Sequence, residues 1–483
     1  MKNVEVLRKK YPKFIYQGYS YGISGNDLKI SFDFKISHYE NSSRSICFKP
    51  EIIIKNVNKK NLDKVGGSAL NSLVFHIGLM EIPSYWKAAC SPIIEIKAGY
   101  LDKQQIKWWK DFIFNGMGQF FFENKIDFTR PDFLKICCLN KINKNNSKFT
   151  IVSLLKDNVL IPMGEGKDSI VTLELLKKFE KNCFIVNPTK EHFKILKIAK
   201  IKNPIIAQRK IDPALLKLNQ KGFLNGHTPI TAVISNLAVF CGVLFGHNNI
   251  AMSCEKSADE GNIKYLGKTI NHQWSKSSEF ENKYRNYVKK YLVKDINYFS
   301  FLRPLYEIQI ARLFSKLPKY FPVFLSCNEA YKTASGTKKS TGKWCGKCSK
   351  CLFVFTILYP FIEEKKLMKI FSQNLFEKKE LLPIMKELIG KSKTKPFECV
   401  GTKKESLIAF YLSYLKFKEN KNLKKNAYAQ KFKLPVLLNY FEKRILPRYL
   451  NIEIESKRIL NSWNKQNNLP KNFDKALRKL YLK

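Results

Sequence analysis

The sequence predicts an α/β protein: a central parallel-sheet domain, an α+β domain before it and an all-helical region after it. Three observations carry that prediction. Beyond residue 159 short apolar runs alternate with helical patterns, before about residue 135 apolar residues recur with period two, and after about residue 365 only amphipathic stripes remain. Length agrees, because 483 residues is about three times the size of a single domain. Apolar residues at 45% and aromatic residues at 13% supply a packed interior and exclude wholesale disorder.

In chain order, the N-terminal domain is expected over 1–145. Its clearest strand is 29–36, where Ile30, Phe32, Phe34 and Ile36 alternate with polar residues. The polar run 140–148, mostly Asn and Lys, has the composition of a linker and sets the first boundary. The central domain, 146–365, begins with strand 159–162 and a helix from Ser169. Strand 183–186, a helix after Thr189 and strand 205–207 follow. No Asp, Glu, Lys or Arg occurs between Lys221 and Glu255, yet the strongly apolar part, 237–245, is too short to cross a membrane. It is read instead as a core helix opening after Pro229. Strand 250–252, a helix opening at Ser278 with Glu281 at capping-box spacing, strand 298–301 and strand 323–325 complete the domain. The last region, 366–483, is helical, with Leu407, Ile408, Tyr411, Leu412 and Leu415 on one stripe.

The net charge of +46 would ordinarily point to nucleic acid. Only 11 of the 86 basic residues are Arg, however, whereas phosphate and base recognition favours the bidentate guanidinium. A lysine surplus alongside abundant Asn, Ile and Phe is the signature of A/T-rich codons, so no nucleic-acid partner is expected. The C-terminal region, with 28 Lys and Arg against 10 Asp and Glu, is where an electrostatic role would lie. Twelve Cys would suggest disulfides in an exported chain, but the first ten residues hold no apolar signal core. A cytoplasmic protein with reduced thiols and no membrane span is expected. Oligomeric state is not readable.

Strand 159–162 runs through Gly164, Glu165, Gly166, Lys167, Asp168 and Ser169 into a helix. A strand, a Gly-rich turn and a helix N-terminus form an anion site, because unpaired amides and the helix dipole point at the ligand. The Walker A pattern fails, since its first Gly would fall at Ile161 and Lys167 is followed by Asp168. The residues resemble instead the pyrophosphate loop of the ATP pyrophosphatases (PP-loop, or HUP, fold), with Gly164 in place of its first Ser and Glu165 in place of its first Gly. That resemblance implies cleavage of ATP to AMP and pyrophosphate. Loop amides and Lys167 would hold the pyrophosphate, and Asp168 would help to hold Mg²⁺.

Cys345, Cys348 and Cys351 stand at two-residue gaps, and Cys327 closes the strand expected just before them. Four such thiolates fit a tetrahedral ion, zinc first, with an iron–sulfur cluster or plain core cysteines as the other readings. Lys343, Lys347 and Lys350 would ease the thiolate charge. The same C-terminal placement is familiar from 7-deazaguanine synthases, and it implies a structural rather than a chemical role.

Dense polar segments fall at 223–229, 254–262, 271–277 and 300–307, where an open α/β sheet places its ligands. With 84–87 and 118–124 upstream, they resemble the ATP-dependent UDP-N-acetylmuramoyl-L-alanyl-L-glutamate epimerases of peptidoglycan precursor synthesis, over roughly residues 70–360. The resemblance implies inversion of the terminal L-Glu of UDP-N-acetylmuramoyl-L-Ala-L-Glu by way of an adenylated carboxylate. Candidate proton-transfer residues are His272, ranked first for its near-neutral titration, then His227, Lys276 and Glu255. Lys87 and Arg303 are candidates to clamp carboxylates or diphosphate, with Trp86, Asn225 and Asn271 beside them. Glu255, Asp259 and Glu260 are further candidates to assist Mg²⁺. The competing assignment is a tRNA- or nucleobase-modifying ATP pyrophosphatase, which would share the loop and the zinc.

Overall fold

The computed structural model describes residues 3–138, 156–331, 342–422 and 433–481. The run 140–148, and with it the expected boundary at 145, lies outside the described residues.

Strand pairing shows how the α/β pattern is spent. Five strands, β7 (Lys156–Pro162), β8 (Lys181–Val186), β9 (Ile205–Lys210), β10 (His247–Met252) and β13 (Asn297–Ser300), pair in parallel in the order β13-β10-β7-β8-β9. The first of them in sequence is therefore central. Later strands are added on one side and then on the other, the doubly wound arrangement. Its topological switch point lies between β7 and β10, and ligands of such sheets bind at the carboxyl ends of the strands there. Residues along each strand face alternate cores: Val159 and Ile161 belong to one apolar cluster and Leu160 to the other, as do Ala251 against Ile250 and Met252.

The N-terminal residues do not fold as a separate sheet. β1 (Lys13–Ser24), β2 (Asp27–Ser37), β3 (Ile46–Phe48) and β4 (Glu51–Ile54) are antiparallel, and β5 (Ile93–Ile96) and β6 (Lys135–Cys138) run parallel beside β1. β4 then pairs antiparallel with β9, Ile52 opposite Arg209 and Ile54 opposite Ala207, so one eleven-stranded sheet runs through both halves. The period-two pattern of β2 is realised: Leu28, Ile30, Phe32, Phe34 and Ile36 are all buried. A short hairpin, β11 (Ile263–Tyr265) with β12 (Lys268–Ile270), stands apart from the main sheet.

The charge-free segment forms the helix Ile230–Phe245, buried on nearly every side and ended by Gly246 in the left-handed region, φ 80°. Among the described residues no single helix is long and apolar enough to cross a membrane. Two local expectations are corrected. The helix Ser278–Tyr287 is capped by Ser277, whose side chain accepts from Phe280 N–H, while Glu281 is buried against Arg303 instead of closing a capping box. Residues 323–325 form no strand, because their amides find no ladder: Leu325 N–H bonds only to Glu165 O. Described residues beyond 365 are helical or irregular, as expected, and they pack as an integral layer over the second core, with Phe376, Phe410 and Phe441 fully buried.

Candidate functional site

The site assembles at the carboxyl ends of β7, β10 and β13. After β7 the chain turns through 163–166 into the helix Lys167–Leu175, whose N-cap, Gly166, has no side chain to occupy the first amides. Ser169 Oγ donates to Gly164 O at 2.8 Å and to Gly166 O at 3.1 Å, which closes the loop from beneath. Nothing lies within 4 Å of where a Cβ on Gly164 would sit, so backbone can approach a ligand closely there. Glu165 does not face the loop mouth. Its Oε1 accepts from the Thr189 hydroxyl and lies 2.6 Å from His192 Nδ1, at the start of the helix Lys190–Ile198.

Lys167 is buried between Asp168, 2.5 Å away, and Glu307, with which it makes a short contact. Burial opposes its charge, but the two carboxylates outweigh that and hold the ammonium above the ordinary lysine range. Glu307 arrives after β13 at the first position of the helix Glu307–Ser315. Burial alone would raise its carboxyl, and Lys167 and Lys350 pull it below the ordinary value. Glu255, from the loop after β10, completes the group: ligand oxygens of Asp168, Glu255 and Glu307 all lie within 4.8 Å of one another. No cation stands within ion-pair distance of Glu255 among the described residues. Burial first, then Glu307 and Asp168, push its carboxyl up to about 8.

From this cluster a line of polar side chains leads outward. Lys276 interacts with Glu255 and donates to Cys399 Sγ at 3.1 Å; burial lowers its basicity, but Cys399 and Glu255 more than restore it. Cys399 Sγ lies 3.9 Å from His272 Nε2, and His272 Nδ1 lies 2.6 Å from Gln119 Oε1. The His227 ring packs on His272 with centroids 4.4 Å apart. The ground for ranking His272 first does not survive: burial, then Lys276, Lys395 and Lys350, push it down to about 3, so it is a neutral imidazole near pH 7. His227 is held well below its ordinary value by burial and by His272. Lys87 donates to Gly226 O at 2.9 Å and is lowered to about 8 by burial and Arg209.

Other expected contacts are used internally. Trp86 is fully buried against Phe120 and Phe121, with its indole N–H on Ser91 O. Arg303, 1% exposed, directs its guanidinium to Glu281, Ser300 Oγ and the carbonyls of Glu255 and Lys276, leaving no face for a substrate clamp. It is the strut under the Glu255 and Lys276 loops. Asn271 shapes its own turn, donating to Ala258 O and accepting from Gln273 N–H. Asn225 is exposed, and its side chain accepts from Gly226 N–H. Asp259 is paired with Lys256, and Glu260 with Lys395.

The four cysteines do come together. The Sγ atoms of Cys327, Cys345, Cys348 and Cys351 lie within 4.8 Å of one another, with Cys327 to Cys348 at 3.9 Å and Cys345 to Cys351 at 3.7 Å. Gly346 makes the turn possible at φ 64°, and Cys348 caps the helix Ser349–Leu358. Lys350, held inside this motif, donates to Cys399 O and stands 3.8 Å from Glu307.

Glu307 and Cys399 were not singled out from the sequence, and Lys350 was read only as a counter-charge to the thiolates, not as a neighbour of Glu307. Glu307 ended a segment already noted as polar. Cys399 carried no signal, because it reaches the site only through a strap, residues 395–405, laid across the polar loops. Lys395 N–H bonds to Asn262 O, Asn262 Nδ2 to Pro396 O, Gln273 Nε2 to Val400 O and Lys403 N–H to Glu260.

Comparison with known proteins bears on this geometry. Residues 5–301 match the family model described as the MurL N-terminal domain, and residues 323–432 the MurL C-terminal domain. Three curated relatives are named UDP-N-acetyl-alpha-D-muramoyl-L-alanyl-L-glutamate epimerase. Those from Salinispora tropica and a Micromonospora species are 40% and 39% identical over 255 residues, covering 52% of this chain. The matches span only 55% and 56% of those relatives' lengths. The relative from Xanthomonas oryzae pv. oryzae is 31% identical over 338 residues, 68% of this chain and 71% of its own. No solved structure matches. Two family models on either side of the 323-residue mark, and a relative alike over more than two-thirds of both chains, establish that the chain belongs to the MurL family.

Proposed function

We propose that the protein inverts the terminal L-Glu of UDP-N-acetylmuramoyl-L-Ala-L-Glu, converting ATP to AMP and pyrophosphate as it does so, in peptidoglycan precursor synthesis in the cytoplasm. The observation that carries this is the juxtaposition of the 163–166 loop, Lys167 and the three carboxylates with a line of proton-transfer side chains. The relatives' names supply the substrate class.

The chemistry needs both parts. A hydrogen beside an ionised carboxylate is barely acidic, whereas adenylation removes the negative charge and lets the acyl carbonyl accept the carbanion's electrons. Loop amides and Lys167 receive the pyrophosphate as it leaves, in a setting where fixed donors replace water. Once the adenylate has formed, a base takes the α-hydrogen, a proton returns on the other face, and water releases AMP. Lys276, kept protonated, supplies positive charge beside the developing enolate.

Asp168, Glu255 and Glu307 fit a Mg²⁺ ion, because Glu255 is a buried carboxylate with no cation within ion-pair distance among the described residues; the ion would neutralise phosphate charge. The four cysteines fit a structural Zn²⁺, which would fix the 345–351 turn and hence Lys350.

The test is to incubate the protein with ATP, Mg²⁺ and the UDP-muramoyl dipeptide, then assay for D-Glu and AMP together. Production of neither by metal-loaded protein sinks the reading.

A further inference from the structure

We propose that Cys399 is the catalytic acid that returns a proton to the α-carbon, a role that rests on the epimerase reading above. The hydrogen-bond network fixes which atoms can take part. Gln119 Nε2 donates to Glu123 Oε1 at 2.7 Å, so the Gln119 carbonyl oxygen is the end that faces His272. An oxygen at 2.6 Å from Nδ1 requires the hydrogen on Nδ1 and leaves the lone pair on Nε2. That lone pair looks at Cys399 Sγ, 3.9 Å away, and only a thiol hydrogen can bridge the two. On the sulfur's other contact, Lys276 Nζ can only donate, at 3.1 Å.

The thiol is thus oriented by an imidazole whose own orientation is set by Gln119 and Glu123, and an ammonium stands against the atom that becomes negative when the proton leaves. A reactive group, an orienting imidazole and a third group holding that imidazole are the parts of an activated thiol site. His272 spends its lone pair on the thiol hydrogen, and Lys276 spends an N–H on the sulfur. Placement agrees as well. Lys276 interacts with both Cys399 and Glu255, which sets the sulfur one side chain beyond the carboxylates at the loop mouth.

In the step itself, the α-hydrogen has already gone to another basic group, for which His227, packed on His272, and Lys87 are candidates. The S–H then rotates from His272 Nε2 toward the enolate, whose electron pair forms the new C–H bond with the thiol hydrogen. The S–H bond breaks, and the thiolate left behind lies against the Lys276 ammonium until water reprotonates it. One proton leaves the substrate and one returns, with no change of oxidation state.

The experiment compares wild type, C399S and C399A in D₂O with ATP, Mg²⁺ and the UDP-muramoyl dipeptide, reading AMP release, D-Glu formation and α-deuterium. In both variants D-Glu formed per AMP released should fall by about 100-fold or more, the usual worth of a positioned acid. L-Glu recovered from those reactions should still gain deuterium, because the first proton transfer does not use the sulfur. Wild-type D-Glu per AMP in either variant would overturn the proposal. Equal loss of AMP and D-Glu in both would overturn it too, by assigning the sulfur to adenylation or fold. Wild type that yields neither AMP nor D-Glu would instead refute the epimerase reading itself.

Discussion

Replacing Glu255 by Gln should stabilise the metal-free protein as pH rises and abolish its response to Mg²⁺. Burial, Glu307 and Asp168 move this carboxyl from 4.5 up to about 8. The folded-state value lies above the unfolded one, so the native state binds the proton more tightly. Its stabilising effect is fully present below the unfolded value and is lost as pH rises through the folded one. At about 1.4 kcal/mol per unit, burying Glu255 costs roughly 5 kcal/mol well above pH 8, where it is ionised, and about 3 near pH 7 and about 1 near pH 5.5, where the cost is mainly that of keeping it protonated. A Gln side chain has no charge to desolvate. E255Q should therefore gain about 2 kcal/mol on wild type between those last two conditions. Urea unfolding of the full chain with chelator, at both pH values, measures the difference. Adding Mg²⁺ near pH 7 should then raise the wild-type midpoint and leave that of E255Q in place. Parallel pH dependence in the two proteins, or an equal Mg²⁺ response, would refute the reasoning.

Three further outcomes are expected. Lys167→Met leaves Asp168 and Glu307 facing each other without their cation, so unfolding should show a loss of about 3–5 kcal/mol, and pyrophosphate release should fall below detection. Arg303→Ala strands the buried Glu281 carboxylate and should cost a similar 3–5 kcal/mol in unfolding. A clamp on the substrate would instead raise KM in a protein of wild-type stability, so the two measurements together decide. Elemental analysis should find one Zn²⁺ per wild-type chain and none in Cys348→Ser, whose thermal midpoint should also fall; full zinc retention by the variant would contradict a four-thiolate site.

Much of the site was legible because its signals are local. The loop 163–169 combines strand, glycine and helix start within a few residues, and the three cysteines at 345–351 declare their geometry by spacing alone. β2 was equally plain, since alternation is a property of one strand. What could not be read depends on partners far along the chain. β4 and β9 meet across some 150 residues of sequence, and no pattern in either announces the other. Residues 323–325 have strand composition but no neighbour to pair with. Cys399 sits between Glu398 and Val400 in a stretch without motif, and it gains its meaning only from where the strap lies. Lysine excess misled in a smaller way: Lys167, Lys350 and Lys395 are almost wholly buried, so part of the charge read as solvated surface serves the interior of the site.

The continuous sheet also determines where the chain can be cut. The two matched family segments suggest division between 301 and 323. Stopping there would strip the helices Glu307–Ser315 and Ser349–Leu358 from the face that carries Val159, Ile161, Ala251 and Phe299, and would leave Lys167 without Glu307. The detached remainder would hold three of the four thiols without Cys327 only if cut later still, and would otherwise keep all four beside an apolar surface with nothing to cover it. Neither fragment would be a soluble folding unit, so complementation by separately expressed halves should require that both be present as they fold.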